Sequence, residues 1–444
     1  MLIEKKLFTS INLINLLIAL IPLTLIIGNS AVNLNVVLIC LTGIVAYKFE
    51  LFKINEKIYQ YLIFSFFLYL ILITLITNLP LILNYVQKTH PFMESSRDFY
   101  IENIFKSFFF LRFLILFLVV YKLIQNNHFN IKFFYISCSF FVLVISIDII
   151  VQVIFGKNII GYPILHSRPS SFFLSEWIAG GYIQKFSLFF IIFYAYLTQK
   201  YNSGKFLYVL FFLFFIPLLF TVNKMPVILY LFSFLIILVL KKKFKHIFVF
   251  SFLFLFLFLG IAKYYSETRL AINFKLFYQS STKILTSLSE FNSPNSLDIS
   301  TRYYDPSGYI LHFRTAAQIW QKNKVFGSGI KAFKHKCTYE AGQTCGSHPH
   351  NYTLELLVDT GLIGFTIIYL FFSLAAFQFF RFYKHTSNIN LKLLSLPFSV
   401  IVFLEFFPLR SSGSFFSTSN ATILFFMLAV MVGISNFKKL NNNL

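Results

Sequence analysis

The residues with the greatest chemical potential lie between His348 and Phe365, in HPHNYTLELLVDTGLIGF. Two histidines and an asparagine close a polar segment, and a long apolar run starts immediately after them. Imidazole titrates near neutrality and is the usual general base. Here it stands at the mouth of a membrane helix, at the edge of water, where an enzyme acting on a lipid-linked substrate needs its proton-handling group. His350 is the candidate base, and Asn351 follows it directly, placed to orient a ring or a substrate. An interfacial histidine that only caps a helix would leave the same trace. Gly361 and Gly364, one turn apart, are expected to let helices pack closely and so keep the mouth rigid. Glu355 and Asp359 share a face four residues apart. Asp359 would sit about 13 Å along the axis from His350, too deep to orient its ring. A carboxylate at that depth is costly, and structural pairing is its expected role.

Cations are the second requirement if the substrate is anionic. Lys224 occupies the turn of a two-span hairpin, FTVNKMPVIL, and Arg314 lies in HFRTAAQIWQKNKVFGSG, which reads as an amphipathic surface helix. Arg168 stands in HSRPSSFFLSEWIAGGY with Glu176 eight residues on, either its partner or an acid–base group. Arg410 ends an apolar run in PLRSSGSFFST. A guanidinium grips phosphate oxygens in pairs, whereas an ammonium is a point charge. A lysine at a membrane surface can also simply snorkel. His348 is the obvious rival to His350.

These groups must be positioned by membrane helices. The chain has 444 residues, 57% hydrophobic and only 12% charged, where a soluble domain carries about 25% charged residues. Its mean hydropathy is +0.74. Apolar runs long enough to cross a bilayer recur at about 7–27, 31–47, 58–84, 103–122, 133–155, 179–198, 206–222, 226–240, 247–262, 351–380, 391–408 and 417–435. The expectation is an all-α integral membrane protein of about twelve transmembrane helices, one polytopic domain over 1–444 with an embedded outer loop at 263–350 between spans nine and ten. The first span lacks a small-residue cleavage site and reads as a true helix rather than a signal peptide. The net charge of +22 comes largely from lysines in alternate short loops, as the positive-inside rule requires. No basic patch carries a nucleic-acid motif. The rule puts both termini in the cytoplasm and sends Arg168, Glu176, Lys224, Arg314, His348, His350 and Arg410 to the opposite side.

Four cysteines complete the inventory. Cys40 and Cys138 fall in apolar spans and read as small core residues. Cys337 and Cys345, in KCTYEAGQTCG, are expected to pair in an oxidising compartment. Their spacing with histidine fits no usual zinc pattern.

The run His350–Asn351, Gly361 and Gly364 resembles the signature of the O-antigen ligase and O-antigen polymerase superfamily. Arg314, Trp320, Asn323 and Phe326-Gly327-Ser328-Gly329 are similar to the family's approach to its catalytic loop, and Lys224 falls where that family commonly has Arg. Phe365 departs from the usual Thr or Val. The resemblance implies a metal-independent, cofactor-free glycosyltransferase of the membrane-embedded C type in a bacterial inner membrane, with its active site on the periplasmic face. The implied donor is a glycan on undecaprenyl diphosphate. The implied acceptor is lipid A-core in a ligase, or another lipid-linked glycan in a polymerase. His350 would be the base, with Glu176 as a second acid–base candidate. Arg168, Lys224, Arg314, His348, Asn351 and Arg410 would bind substrate. A flippase or transporter of lipid-linked sugars is the alternative from another class. It would use polar groups near the bilayer midplane, for which Arg112, Asp148 and Glu355 are the candidates.

Overall fold

The computed structural model describes residues 2–86, 94–165, 168–174, 176–198, 204–240, 309–337, 345–408 and 410–436. The expected ninth span, 247–262, and most of the expected outer loop lie outside them. The described residues are almost wholly helical: α1 (Leu2–Ala19), α2 (Ile21–Ile27), α3 (Asn29–Tyr47), α4 (Lys57–Val86), α5 (Glu94–Phe109), α6 (Leu111–Gln125), α7 (Ile131–Phe155), α8 (Ala179–Thr198), α9 (Gly204–Phe220), α10 (Lys224–Leu240), α11 (Tyr309–Lys322), α12 (Phe333–Lys336), α13 (Tyr352–His385), α14 (Ile389–Glu405) and α15 (Thr418–Ser435). Helix ends follow local chemistry. Asn130, Asn351 and Asn388 each accept an amide proton three residues on and cap α7, α13 and α14. Pro22 sits at the start of α2, where its missing N–H does no harm. The chain bends there by 47° between α1 and α2.

Six of these helices are long and apolar enough to cross a membrane, or seven if the bent α1–α2 pair counts as one span. Two further apolar helices, α9 and α10, are shorter. An integral, multi-pass membrane protein accounts for this arrangement. The helices that begin near 179, 204, 224 and 389 coincide with expected spans but do not reach that length and hydropathy together, so twelve spans are not reached among the described residues.

Helices α6 and α15 form the interior of the bundle and pack along each other. Glycine makes the close approaches possible. A Cβ on Gly43 of α3 would lie 2.2 Å from Val119, and one on Gly433 of α15 would lie 2.9 Å from Ile124. Around this pair phenylalanines interlock, with Phe67, Phe110 and Phe425 at 5.3–5.9 Å between ring centroids. Outward apolar side chains such as Leu34, Phe140 and Phe377 stay exposed, as lipid contact requires.

One end of the bundle collects the polar turns. The start of α15 meets the start of α3 through Thr418 and Asn33. Residues 328–330 dock on the last turns of α4 through Thr74, and Asn223 before α10 bonds the backbone of Trp177 before α8. The opposite end carries the α6–α7 turn, where Asn130 bonds Asn15 and Gln125 bonds Gly433. Every candidate site residue thus falls at the first end.

Candidate active site

Helix α13 is not continuous. Gly361 has φ +61°, a left-handed conformation that breaks the helix one third of the way along. A break inside a membrane helix frees backbone groups that must find partners. The segment 324–329 supplies them. The amides of Ser328 and Gly329 donate to the carbonyls of Val358 and Asp359, at 3.0 and 2.9 Å, and the amides of Leu362 and Ile363 donate to the carbonyls of Lys324 and Val325, at 2.9 and 3.2 Å. The backbones come so close that a Cβ on Gly361 would lie 2.3 Å from the Val325 oxygen, and one on Gly327 2.4 Å from the Gly361 nitrogen. Gly361 therefore serves a backbone break rather than the helix–helix seam expected from its spacing with Gly364. Gly364 does meet another helix, since its Cβ position lies 3.1 Å from Tyr69 of α4. Tyr69 itself donates to the Phe326 carbonyl.

The two carboxylates of α13 hold this docking. Asp359 accepts from the amides of Lys331 and Ala332, at 2.8 and 3.1 Å. Glu355 accepts from the Ser414 hydroxyl and the Phe415 amide, both at 2.6 Å, and lies 3.8 Å from Lys331 Nζ. Lys331 also bonds the Ser414 hydroxyl. The pairing role expected for both carboxylates is what the structure contains.

Above them sits the mouth. His350 has φ +55°, a conformation that histidine visits more readily than most residues. It is held from both sides. Its carbonyl accepts the Ser412 amide at 2.8 Å, and Asn351 binds the same 408–412 turn, donating to the carbonyls of Pro408 and Arg410 at 2.6 and 2.9 Å while capping α13. Asn351 is thus committed to fixing the chain under His350. The His350 ring is half-buried beside two other imidazoles, His348 at 4.1 Å and His312 at 5.1 Å between centroids. The Ser347 hydroxyl lies 2.8 Å from His348 Nδ1, within hydrogen-bond distance. Burial lowers the pKa of His350 from the usual histidine value, against a smaller raising effect of a backbone hydrogen bond with Ser412. Burial and the neighbouring His350, Lys331 and His312 lower His348 to about 3. Both shifts favour the neutral imidazole.

Arg410 is buried. Its Nη1 donates to Glu405 Oε1 at 3.1 Å and to the Leu404 carbonyl at 3.2 Å, and the guanidinium lies 5.5 Å over the Tyr352 ring. Lys185 of α8 reaches the same Glu405 oxygen at 3.2 Å. Arg314 lies on α11, two residues after His312 and half-buried. Arg168, Glu176 and Lys224 form a second group around the α7–α8 loop and the α9–α10 turn. Arg168 stacks on Trp177 at 4.4 Å. Lys224, the first residue of α10, is near enough to Arg168 to feel its charge. Glu176 is exposed.

Sequence reasoning passed over His312, Lys331, Lys185 and Glu405. The last two carried a signal, since a charged residue in an apolar run seldom stands without a partner. The transporter candidates all have structural engagements. Arg112 donates to Asn33 and Thr418 at 3.0 and 3.3 Å, and Asp148 accepts from the Ile159 amide and the Ser171 hydroxyl. Cys337 and Cys345 are bonded to each other, with their Cα atoms 5.6 Å apart. Cys40 and Cys138 are buried thiols.

Residues 186–369 match the family described as O-antigen ligase. No curated protein matches the chain. The family match bears out the resemblance read from His350–Asn351, Gly361 and Gly364. It encloses Lys224, Arg314, His348, His350 and Asn351, while Arg168, Glu176 and Arg410 fall outside it.

Proposed function

We propose, with kinship to the O-antigen ligase and polymerase superfamily as the premise, that this chain is a glycosyltransferase. It moves a glycan from an undecaprenyl-diphosphate carrier to lipid A-core, without a metal, at the periplasmic face of a bacterial inner membrane that it spans about twelve times with both termini inside. The observation that carries the reading is His350: a neutral, half-buried imidazole fixed at a helix mouth by the Ser412 amide.

The chemistry follows from the groups present. The acceptor hydroxyl gives its proton to the imidazole of His350 while its oxygen attacks the anomeric carbon. The bond from that carbon to the diphosphate oxygen breaks, and its electron pair leaves with the diphosphate. Arg168, Lys224 and Arg314 offset the charge that develops there. His348, held neutral, adds no positive charge that would disfavour the proton's arrival. Arg410 and Asn351 keep the base in place.

The test is transfer by the purified protein in nanodiscs, with lipid-linked glycan as donor and lipid A-core as acceptor. Wild type should form capped lipid A-core. His350→Ala should lose about 10²–10⁴-fold in turnover and still bind donor, while His348→Ala should be milder. If His350→Ala works within threefold of wild type (on the order of experimental scatter in a positioned-base comparison) and Glu176→Ala is dead, Glu176 is the base. A product lengthened on its carrier, with no capped core, would make the enzyme a polymerase. Glycolipid that only crosses the bilayer would make it a transporter.

A further inference from the structure

Phenylalanine is abundant here, with 63 residues, and tryptophan is scarce, with two. Both tryptophans lie at the polar end of the bundle, and Trp177 is the more exposed of the two, at 45%. Trp320 donates its ring nitrogen to the Lys324 carbonyl and packs beside the small cluster around Phe333.

The loop that carries Trp177 is built with care. Buried Gln152 accepts the amides of Ser170 and Ser171, at 3.0 and 2.9 Å. Buried Asp148 accepts the Ile159 amide and the Ser171 hydroxyl, and Asn158 closes the loop through Tyr162 and Ser171. An indole held only as a membrane anchor needs no such scaffold. Its backbone carbonyl is tied by Asn223 to the turn that bears Lys224, at 2.9 Å. Arg168 covers the indole at 4.4 Å from centroid to Cζ, and Lys224 senses the Arg168 charge. An aromatic plate therefore stands beside two cations on one rigid support.

We propose that Trp177, with Arg168 and Lys224, forms a subsite for the pyranosyl diphosphate head of the donor. The sugar next to the diphosphate lays its C–H face on the indole, and the two cations take the phosphate oxygens. A sugar ring has an apolar face and a polar rim, which suits an exposed indole; a diphosphate is a compact dianion or more, which suits paired cations. The subsite rests on the glycosyl-transfer reading and adds a specificity determinant to it: the carrier is distinguished by whether a sugar is attached.

Binding separates the two ideas. The full-length protein in nanodiscs is titrated with undecaprenyl diphosphate alone and with undecaprenyl-diphosphate-linked sugar. Wild type should bind the sugar-bearing lipid more tightly. Trp177→Ala should weaken that lipid about tenfold, the scale of losing one stacked ring, and leave the bare carrier unchanged, while Trp177→Phe should recover most of the loss. Arg168→Ala should weaken both lipids. Equal weakening of both lipids by Trp177→Ala would make the indole an interfacial anchor, and no weakening of either would remove it from the site; each overturns the proposal. Transfer assays decide the underlying reading independently. A wild type that binds sugar-bearing lipid in this pattern but forms no glycosidic product keeps the subsite and loses the enzyme.

Discussion

The mouths of α13 and of α8–α10 lie at the same end of the bundle and are built from similar materials, yet they present opposite faces. At α13, Glu355, Asp359 and Asn351 are turned onto backbone amides and carbonyls, Arg410 onto Glu405, and all four are buried. What remains half-buried beside them is the cluster of imidazoles, His312, His348 and His350. At α8–α10, buried Asp148 and Gln152 do the structural bonding from beneath. Glu176 and Trp177 are left exposed, with Arg168 and Lys224 half-buried. A group that moves a proton must be fixed and partly dry, so that its pKa and its aim are set. Groups that receive a bulky anion must keep access to water and enough reach to meet it. On the proposed reaction, the difference divides the work between the two mouths: one for the chemistry, the other for the donor.

The sharpest way to break this contrast is to add one methyl group at each mouth. Gly361→Ala places a Cβ in a left-handed conformation against the Val325 oxygen and should cost roughly 2–4 kcal/mol. It should lower the melting temperature markedly and abolish transfer. Gly181→Ala at the α8 mouth meets nothing within 4 Å and should change stability by less than about 0.5 kcal/mol. Thermal melts of both variants in one detergent decide it; equal shifts would mean that the α13 mouth is no more constrained than its neighbour.

Charge comes next in size. Lys224→Ala should reduce transfer about 10²-fold, the usual cost of one group aimed at developing charge. Lys224→Arg should keep most of it, since charge is preserved. A lysine that merely snorkels would give two indistinguishable variants at matched expression.

A smaller effect tests the dryness of the α13 mouth. A base works only when unprotonated, and burial lowers His350. Activity should therefore hold as pH falls through about 6.5, the unperturbed histidine value, and decline only below it. An acid limb centred at or above that value in a pH–rate profile would show a solvated ring. The smallest effect belongs to the Cys337–Cys345 bond, which closes the chain just before His348. Replacing both with serine should cost roughly 2–3 kcal/mol locally and slow transfer a few-fold, with donor binding intact. A change in binding instead would tie this loop to the other mouth.

Much of this was legible in the chain. Apolar length placed the expected spans within a few residues of the observed helices wherever both are described, because twenty apolar residues have few other uses. Loop lysines put the site residues at one end, and the short Cys337–Cys345 spacing announced the bond. Other features left no local trace. Gly361 sits at a spacing that also suits helix packing, and only the docking of 324–329 across it reveals the break. His312 precedes His350 by 38 residues and meets it through the packing of α11 on α13, a contact that no periodicity encodes. Lys185 and Glu405 are each visible as charges in apolar runs, but their meeting, with Arg410 on the same Glu405 oxygen, depends on how α8 and α14 pack. Asp148 read as a midplane group because position along a span was taken for depth, whereas its side chain reaches up to Ile159 and Ser171.

The break in α13 also constrains how so large a substrate can enter. Segment 324–332 grips the helix on both sides of Gly361, much as a splint grips a fractured bone, and α11 is continuous with that segment. Segment 324–332 and both halves of α13 are therefore braced as a single piece, with α11 leading into it. A swinging door made from this piece would carry the base away with it. On the proposed reaction, the donor and its glycan would be admitted by movement elsewhere, with His350 as the stationary mark against which the rest of the cycle is registered.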